Sequence, residues 1–242
     1  MNYYGSQEHL ARLEAYDRRI FSQCDFSEPT KEYAINGEYL VKTYALEDES
    51  TGKPYHTPES GSINRLFRED KQVFEWRYLG MYGRNPCIVQ HANGKSYLLF
   101  YECLYGYSVL DLASMESVRY IPWESGSCDE HFEETFIWCV PRYDRDSNLL
   151  AVEGTIWGAP NSVIVLDFSD PMRIVEAKDW LDVRGGLGSG GYDDGCDDIE
   201  TAAWEADRLV CEITAWEADT QVRSTLTVSK RELLERLTSG TE

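Results

Sequence analysis

The spacing of apolar residues changes from a helical to a strand period near the start of the chain. Leu10, Leu13 and Ile20 recur at helical intervals among charged residues, which predicts an amphipathic helix over residues 6–21. Short apolar runs separated by polar turns follow. The first turn is Asn36-Gly37, between the apolar runs 33–35 and 39–41, and Asn-Gly at such a place is the strongest local signal for a β-hairpin.

The arrangement of two apolar runs around a polar turn returns three more times along the chain. Val41, Leu99, Leu150 and Leu209 hold the same position in the second run of each unit, at spacings of 58, 51 and 59 residues. Units that bury a face only against their neighbours are typical of repeat proteins. The sequence therefore predicts a mainly β fold of about four repeated β-meander units, in a single domain that spans residues 1–242.

Two further segments complete this predicted organisation. Residues 46–69 are polar and rich in Gly, Pro and Ser, which favours a long loop. Near the end of the chain, Ser229 and Glu232 have the spacing of a capping box and precede Leu233, Leu234 and Leu237. They predict a short C-terminal helix over residues 229–237.

The two middle repeat units, about a third of the chain, carry a family resemblance. Two units close alike, as Leu110-Asp111-Leu112 and as Leu166-Asp167-Phe168. Residues 149–170 resemble the second and third strands of a WD-type β-propeller blade, with Asp167 where that family has its aspartate. The resemblance implies a propeller-like arrangement of the units. Four units are few for a closed propeller, so a pseudo-repeated β-sandwich stays open as the second architecture.

Charge narrows the range of binding partners. The chain has 43 acidic and 23 basic side chains and a formal net charge of −20, and residues 122–242 carry 26 of the acidic and 10 of the basic ones. Within residues 191–219 there are ten acidic residues and one basic residue, Arg208. Such a field repels nucleic acid and anionic lipid and attracts basic protein surfaces. It predicts a basic protein partner and neither nucleic acid nor membrane, unless the charge serves only solubility.

Localisation and cofactors follow from what the sequence lacks. No apolar run approaches the roughly 20 residues of a membrane-spanning helix, and the first residues show no signal-peptide pattern, so we expect a cytoplasmic protein. The seven cysteines are scattered without a Cys-x-x-Cys pair, which favours reduced thiols over disulfides or a zinc site. The glycine-rich segment 185–191 lacks the lysine and the helix of a phosphate-binding loop. No metal or other cofactor is predicted.

Three glutamates recur with the repeat and supply the best candidate catalytic groups. Glu102, Glu153 and Glu212 each stand three residues beyond an anchor, where the first unit has Tyr44. Carboxyl groups that converge around a repeat axis could shift one another's pKa values and act as a general acid and base, for example on a glycan. The alternative is that each pairs with an arginine or caps a turn.

Two interpretations of function remain after these steps. The leading one is a non-enzymatic protein-binding module that docks a basic partner, in the manner of an immunity protein or inhibitor, through Asp193, Asp194, Asp197 and Asp198. Trp157 and Trp216, which follow the repeat glutamates, either form an aromatic recognition rim or fill the joints between units. The second interpretation is a carboxylate-dependent hydrolase that uses Glu102, Glu153 and Glu212.

Overall fold

A computed structural model of the chain describes most of its 242 residues. The described residues are 2–23, 25–48, 59–79, 85–122, 136–156, 160–176, 179–183, 198–217 and 220–239. They form two compact units: residues 2–89 with 96–121 make up the N-terminal unit, and residues 90–95 with 122–242 make up the C-terminal unit. Both units are mainly β.

Four antiparallel sheets account for all the described strands, and each is an up-and-down meander of consecutive strands. The first sheet contains β1 (Lys31–Ile35), β2 (Tyr39–Asp48), β3 (Glu59–Arg68) and β4 (Lys71–Leu79). The second contains β5 (Cys87–Gln90), β6 (Ser96–Phe100), β7 (Tyr107–Asp111) and β8 (Ser117–Tyr120). The third contains β9 (Ile137–Asp144), β10 (Leu149–Thr155), β11 (Ser162–Asp167) and β12 (Leu181–Asp182). The last contains β13 (Asp198–Trp204), β14 (Arg208–Glu217) and β15 (Thr220–Ser229).

The four repeat anchors confirm the predicted β-meander units. Val41, Leu99, Leu150 and Leu209 lie in β2, β6, β10 and β14, the second strand of each sheet, and all four side chains are buried. Equivalent spacing in the sequence therefore corresponds to equivalent places in four similar sheets. Closure of these sheets into a propeller stays a prediction, as does the single domain over residues 1–242.

The predicted turns and helices take the expected forms. Asn36 and Gly37 connect β1 to β2 with φ values of 49° and 77°, the left-handed region that an Asn-Gly hairpin turn requires. Helix α1 (Gln7–Arg19) begins at Ser6, whose hydroxyl accepts the His9 amide, and α2 (Lys230–Ser239) begins at Ser229, whose hydroxyl accepts the Glu232 amide. A short 3₁₀ helix (Phe21–Gln23) follows α1. Neither α1 nor α2 is long and apolar enough to cross a membrane.

Of the polar segment predicted as a loop over residues 46–69, residues 46–48 and 59–68 are strand, and residues 49–58 lie outside the described residues. β2 continues to Asp48, and β3 begins at Glu59 and pairs with β2 along its full length. Its buried polar side chains satisfy one another, since Thr43 donates to Asn64 at 2.8 Å and Asn64 donates to Ser62 at 3.1 Å. A period of apolar residues cannot detect such a strand, because two of its buried positions, Ser62 and Asn64, are polar and hydrogen-bonded.

Each unit has a hydrophobic core of its own. In the N-terminal unit the first and second sheets supply Tyr39, Val41, Leu66, Trp76, Leu98, Phe100, Leu110 and Leu112. In the C-terminal unit the third and last sheets and α2 supply Leu149, Ala151, Val163, Val165, Val183, Ile199, Ala202, Leu209, Cys211, Val228 and Leu233. Burial of these side chains is the main favourable term for folding of each unit.

Candidate functional site

Glu102 is a buried carboxyl group just beyond the end of β6. Its Oε1 accepts a hydrogen bond of 2.5 Å from Nη1 of Arg119 on β8, and its side chain is only 10% exposed. The second oxygen, Oε2, is buried and has no hydrogen-bond partner. Burial raises the pKa of Glu102 to about 7, although the charges of Arg119 and Arg77 act in the opposite direction. The pKa of Glu102 therefore lies near neutral pH.

Arg119 is held by aromatic rings as well as by Glu102. Its guanidinium lies 5.3 Å from the ring centre of Tyr4, 5.9 Å from that of Phe74 and 5.7 Å from that of Phe100. The start of the chain packs on the same strand, since the Asn2 side-chain amide donates to the Arg119 carbonyl at 2.9 Å. Arg119 therefore connects the second sheet to the start of the chain.

Glu153 is tied by two hydrogen bonds in the C-terminal unit. Its Oε1 accepts from Nε of Arg142 on β9 at 2.7 Å and from the backbone amide of Ala202 on β13 at 2.8 Å. The side chain is 13% exposed, and the β9–β10 pairing shifts register between Glu153 and Gly154. This carboxylate joins the third sheet to the last one.

Glu212 differs from the other two because it is exposed. It lies at the middle of β14, opposite Thr201 of β13 and Thr225 of β15, and accepts a hydrogen bond of 3.3 Å from the Thr201 hydroxyl. It lines a shallow groove of about 150 Å³, together with Glu200, Ile213, Thr214, Arg223, Ser224 and Thr225. Among the described residues, no cation forms an ion pair with Glu212.

The repeat thus places the three glutamates three residues beyond equivalent buried anchors but gives each a different partner. Glu102 belongs to the N-terminal unit, and Glu153 and Glu212 belong to the C-terminal unit. Glu102 and Glu153 each pair with an arginine, which is the structural role that the sequence offered as the alternative to catalysis. Arg119 and Arg142 were not identified from the sequence.

Most of the predicted binding residues lie outside the described residues. Asp193, Asp194, Asp197 and Trp157 are among these, and Trp216 is described only as part of β14. Asp198 is described: it begins β13 and accepts the Asn161 amide at 2.8 Å. The described part of the acidic tract forms the β13–β14 hairpin and exposes Glu200, Glu205, Asp207 and Glu212.

A cavity of about 550 Å³ in the C-terminal unit was also not expected from the sequence. Arg173 stands at its rim and approaches Asp167 at 3.5 Å, while buried Val175 and Trp180 form part of its wall. Its other lining residues are Ser147, Asn148, Ser169, Asp179, Leu181, Leu234, Arg236, Leu237 and Thr238. Both charge signs and an apolar wall are present, so the lining does not favour one class of ligand.

Among the described residues, no group of three or more His, Cys, Asp or Glu side chains is arranged to hold a metal ion. Cys87 and Cys139 are free thiols, and burial raises the pKa of Cys87 to about 12, which disfavours its reactive thiolate form. Cys24, Cys128 and Cys196 lie outside the described residues.

Comparison with known proteins adds no family to this description. No protein-family model matches the chain, and no curated protein matches it significantly.

Proposed function

We propose that this protein is a non-enzymatic binding module that docks a basic protein partner through its C-terminal unit. The observation that carries the proposal is the exposed β13–β14 hairpin. Its carboxylates Glu200, Glu205, Asp207 and Glu212 face solvent, and Arg208 is the only cation of the hairpin. The hairpin keeps a net negative charge although Arg208 pairs with Glu205 and Asp207. Such a surface steers a positively charged partner and raises the rate of association.

The charge of the remaining chain supports the same surface. Residues 1–121 carry 17 acidic and 13 basic side chains, whereas residues 122–242 carry 26 and 10. The long-range field therefore points an approaching basic protein toward the second half of the chain. Neutralisation of a basic toxin or effector in the cytoplasm is one form that such binding would take.

The geometry of the repeat glutamates supports binding over hydrolysis. A general acid and base must both reach one substrate bond, yet Glu102 is buried behind Arg119, and Glu153 is held by Arg142 and the Ala202 amide. One feature favours the hydrolase alternative, namely the pKa of about 7 for Glu102, which suits a general acid. Turnover of glycan substrates that is lost in Glu102→Gln would support that alternative.

The test measures association as a function of salt and of charge. The immobilised protein is exposed to a lysate of its source cells, captured proteins are identified by mass spectrometry, and association rates are measured with the purified partner. We expect a basic partner whose association slows steeply between 50 and 300 mM salt, since the Debye length falls from about 14 Å to about 6 Å over that range.

Two variants that each lose four negative charges distinguish the effect of the local acidic surface on association from the effect of the protein's net charge. The quadruple variant Asp193→Asn, Asp194→Asn, Asp197→Asn and Asp198→Asn should slow association by about tenfold, and the last of these substitutions keeps an oxygen that can accept the Asn161 amide. The matched control removes four exposed acidic groups of the N-terminal unit, with Glu8→Gln, Glu28→Gln, Glu69→Gln and Asp70→Asn. Equal rates for both variants, or a rate that is indifferent to salt, would contradict the proposal.

A further inference from the structure

The last sheet has one strand fewer than the other three. The first, second and third sheets each contain four strands, whereas the last contains β13, β14 and β15. Among the strands that the structure describes, none pairs with the outer edge of β15. That edge presents the backbone donors and acceptors of a ten-residue strand, most of whose side chains are exposed.

The other outer strands carry features that prevent further pairing. Four of them have five residues or fewer, namely β1, β5, β8 and β12. Pro141 removes a backbone donor from β9. Irregular register marks β4 and β13, and β4 also carries Lys71, Glu75 and Arg77. Short length, proline, bulges and charge are the usual means by which proteins block the edges of their sheets.

β15 is neither short nor interrupted by a proline or a bulge. All ten of its residues pair in unbroken register with β14, from Thr220 opposite Glu217 to Ser229 opposite Arg208. Its sequence contains neither proline nor glycine, and Arg223 is its one charged residue. A long and regular edge of this kind is a template for an added strand.

We propose that an extended segment of the partner, bearing lysine or arginine, pairs with the outer edge of β15 and becomes the fourth strand of the last sheet. This inference rests on the proposed function, because the basic character of the segment comes from the basic partner. Backbone hydrogen bonds to β15 supply affinity, and the side chains on one face of the added strand supply specificity.

Charge on the exposed face of the sheet indicates where the basic side chain lies. Glu212, Thr225 and the residue of the added strand opposite Thr225 project from the same face, because they lie directly across the sheet from one another. The backbones of β14 and the added strand are about 10 Å apart, a distance that a lysine and a glutamate side chain together can span. Arg223 lies two residues from Thr225, so the residue opposite Arg223 should be uncharged or acidic.

The test uses a synthetic peptide in place of the partner. The peptide is ten residues long, blocked at both ends, and consists of threonine and valine with a single lysine, so that the residue two positions from the lysine, opposite Arg223, is uncharged. A second peptide of the same sequence has its backbone N-methylated at alternate residues, which keeps the charge but removes the donors that strand pairing needs. We expect the first peptide to bind at least about tenfold more tightly, and to slow hydrogen exchange of the β15 amides.

Two variants of the protein test the place of binding. Thr225→Lys puts a positive charge on the β15 edge, and Thr201→Lys puts the same charge on the other side of Glu212, away from that edge. Both threonines are exposed, so both variants should fold, which thermal unfolding would verify. We expect Thr225→Lys to weaken binding of the first peptide several-fold more than Thr201→Lys does.

The outcomes distinguish this inference from the proposed function. Equal binding of the two peptides would overturn strand addition and leave an electrostatic surface in place. A dimer in sedimentation that Thr225→Lys dissociates would also overturn it, because the edge would then be occupied by a second copy of the chain. Failure of the proposed function is a separate result, namely no salt-dependent basic partner in the capture experiment.

Discussion

The second sheet and the last sheet present the same repeat position in opposite environments. In the second sheet, Glu102 is buried against Arg119, which comes from the fourth strand, β8. The last sheet has no fourth strand among the described residues, and Glu212 is exposed with only the Thr201 hydroxyl as its hydrogen-bond donor. The comparison shows that a repeat can preserve the position of a carboxylate while the strand next to it decides whether that carboxylate is buried against an arginine or exposed to solvent.

The largest effect that we predict is that of removing Arg119 from the second sheet. Arg119→Met leaves Glu102 buried without its counter-charge, and loss of one member of a buried ion pair costs about 3 kcal/mol of unfolding free energy at pH 8. Urea unfolding measures this cost. At pH 5 the cost should be smaller, because Glu102 is then protonated; an equal cost at both pH values would show that Arg119 acts through its aromatic contacts alone.

The pH dependence of stability sharpens the same comparison. Burial raises the pKa of Glu102 from 4.5 to about 7, so between these values the folded state holds a proton that the unfolded state has released. The free energy of unfolding should therefore fall by about 3 kcal/mol as the pH rises from 4.5 to 7, and level off above pH 7.

Two glutamine variants isolate this contribution. Glu102→Gln should remove the decline between pH 4.5 and 7, whereas Glu212→Gln should leave the decline as it is in the unaltered chain. Urea unfolding at a series of pH values measures both curves. A decline that persists in Glu102→Gln would assign it to other groups.

A smaller effect is expected at a glycine of the second sheet. A Cβ atom on Gly106 would lie 2.5 Å from the backbone oxygen of Tyr120, which belongs to β8. Because that oxygen cannot move without disturbing the strand, Gly106→Ala should cost about 2 kcal/mol in thermal or urea unfolding. In the last sheet, Ala203→Val adds methyl groups to an exposed position and should leave stability almost unchanged. Similar costs for the two variants would contradict the contrast between the sheets.

The sequence predicted the regular parts of this fold. Asn36-Gly37 was visible because a tight turn needs particular residues, and the four anchors were visible because a buried second strand recurs at nearly even spacing. β3 was missed, since Ser62 and Asn64 are buried polar residues that break the apolar period. Such residues are stabilised by partners that are distant in the sequence, which a local pattern does not record.

The candidate site was predicted less completely than the fold. The positions of Glu102, Glu153 and Glu212 followed from the repeat, but the partners of these glutamates did not. Arg119 lies 17 residues after Glu102, whereas Arg142 lies 11 residues before Glu153, so no common spacing connects the glutamates to their arginines. The strand that carries each arginine differs as well, and strand pairing across a sheet is decided by tertiary packing rather than by local sequence.

The smallest effect on stability should come from Glu212→Gln in the last sheet. Glu212 is exposed and accepts one long hydrogen bond from Thr201, which glutamine can also accept, so the free energy of unfolding should change by less than about 0.5 kcal/mol. The same substitution should weaken binding of the lysine-bearing peptide about threefold at low salt and less at high salt, because an exposed ion pair is weak and screened. Glu205→Gln, at the β13–β14 turn, is the matched control, since Glu205 is exposed but lies away from the β15 edge. Equal weakening in both variants would show that the peptide senses the overall field of the sheet rather than the carboxylate beside β15.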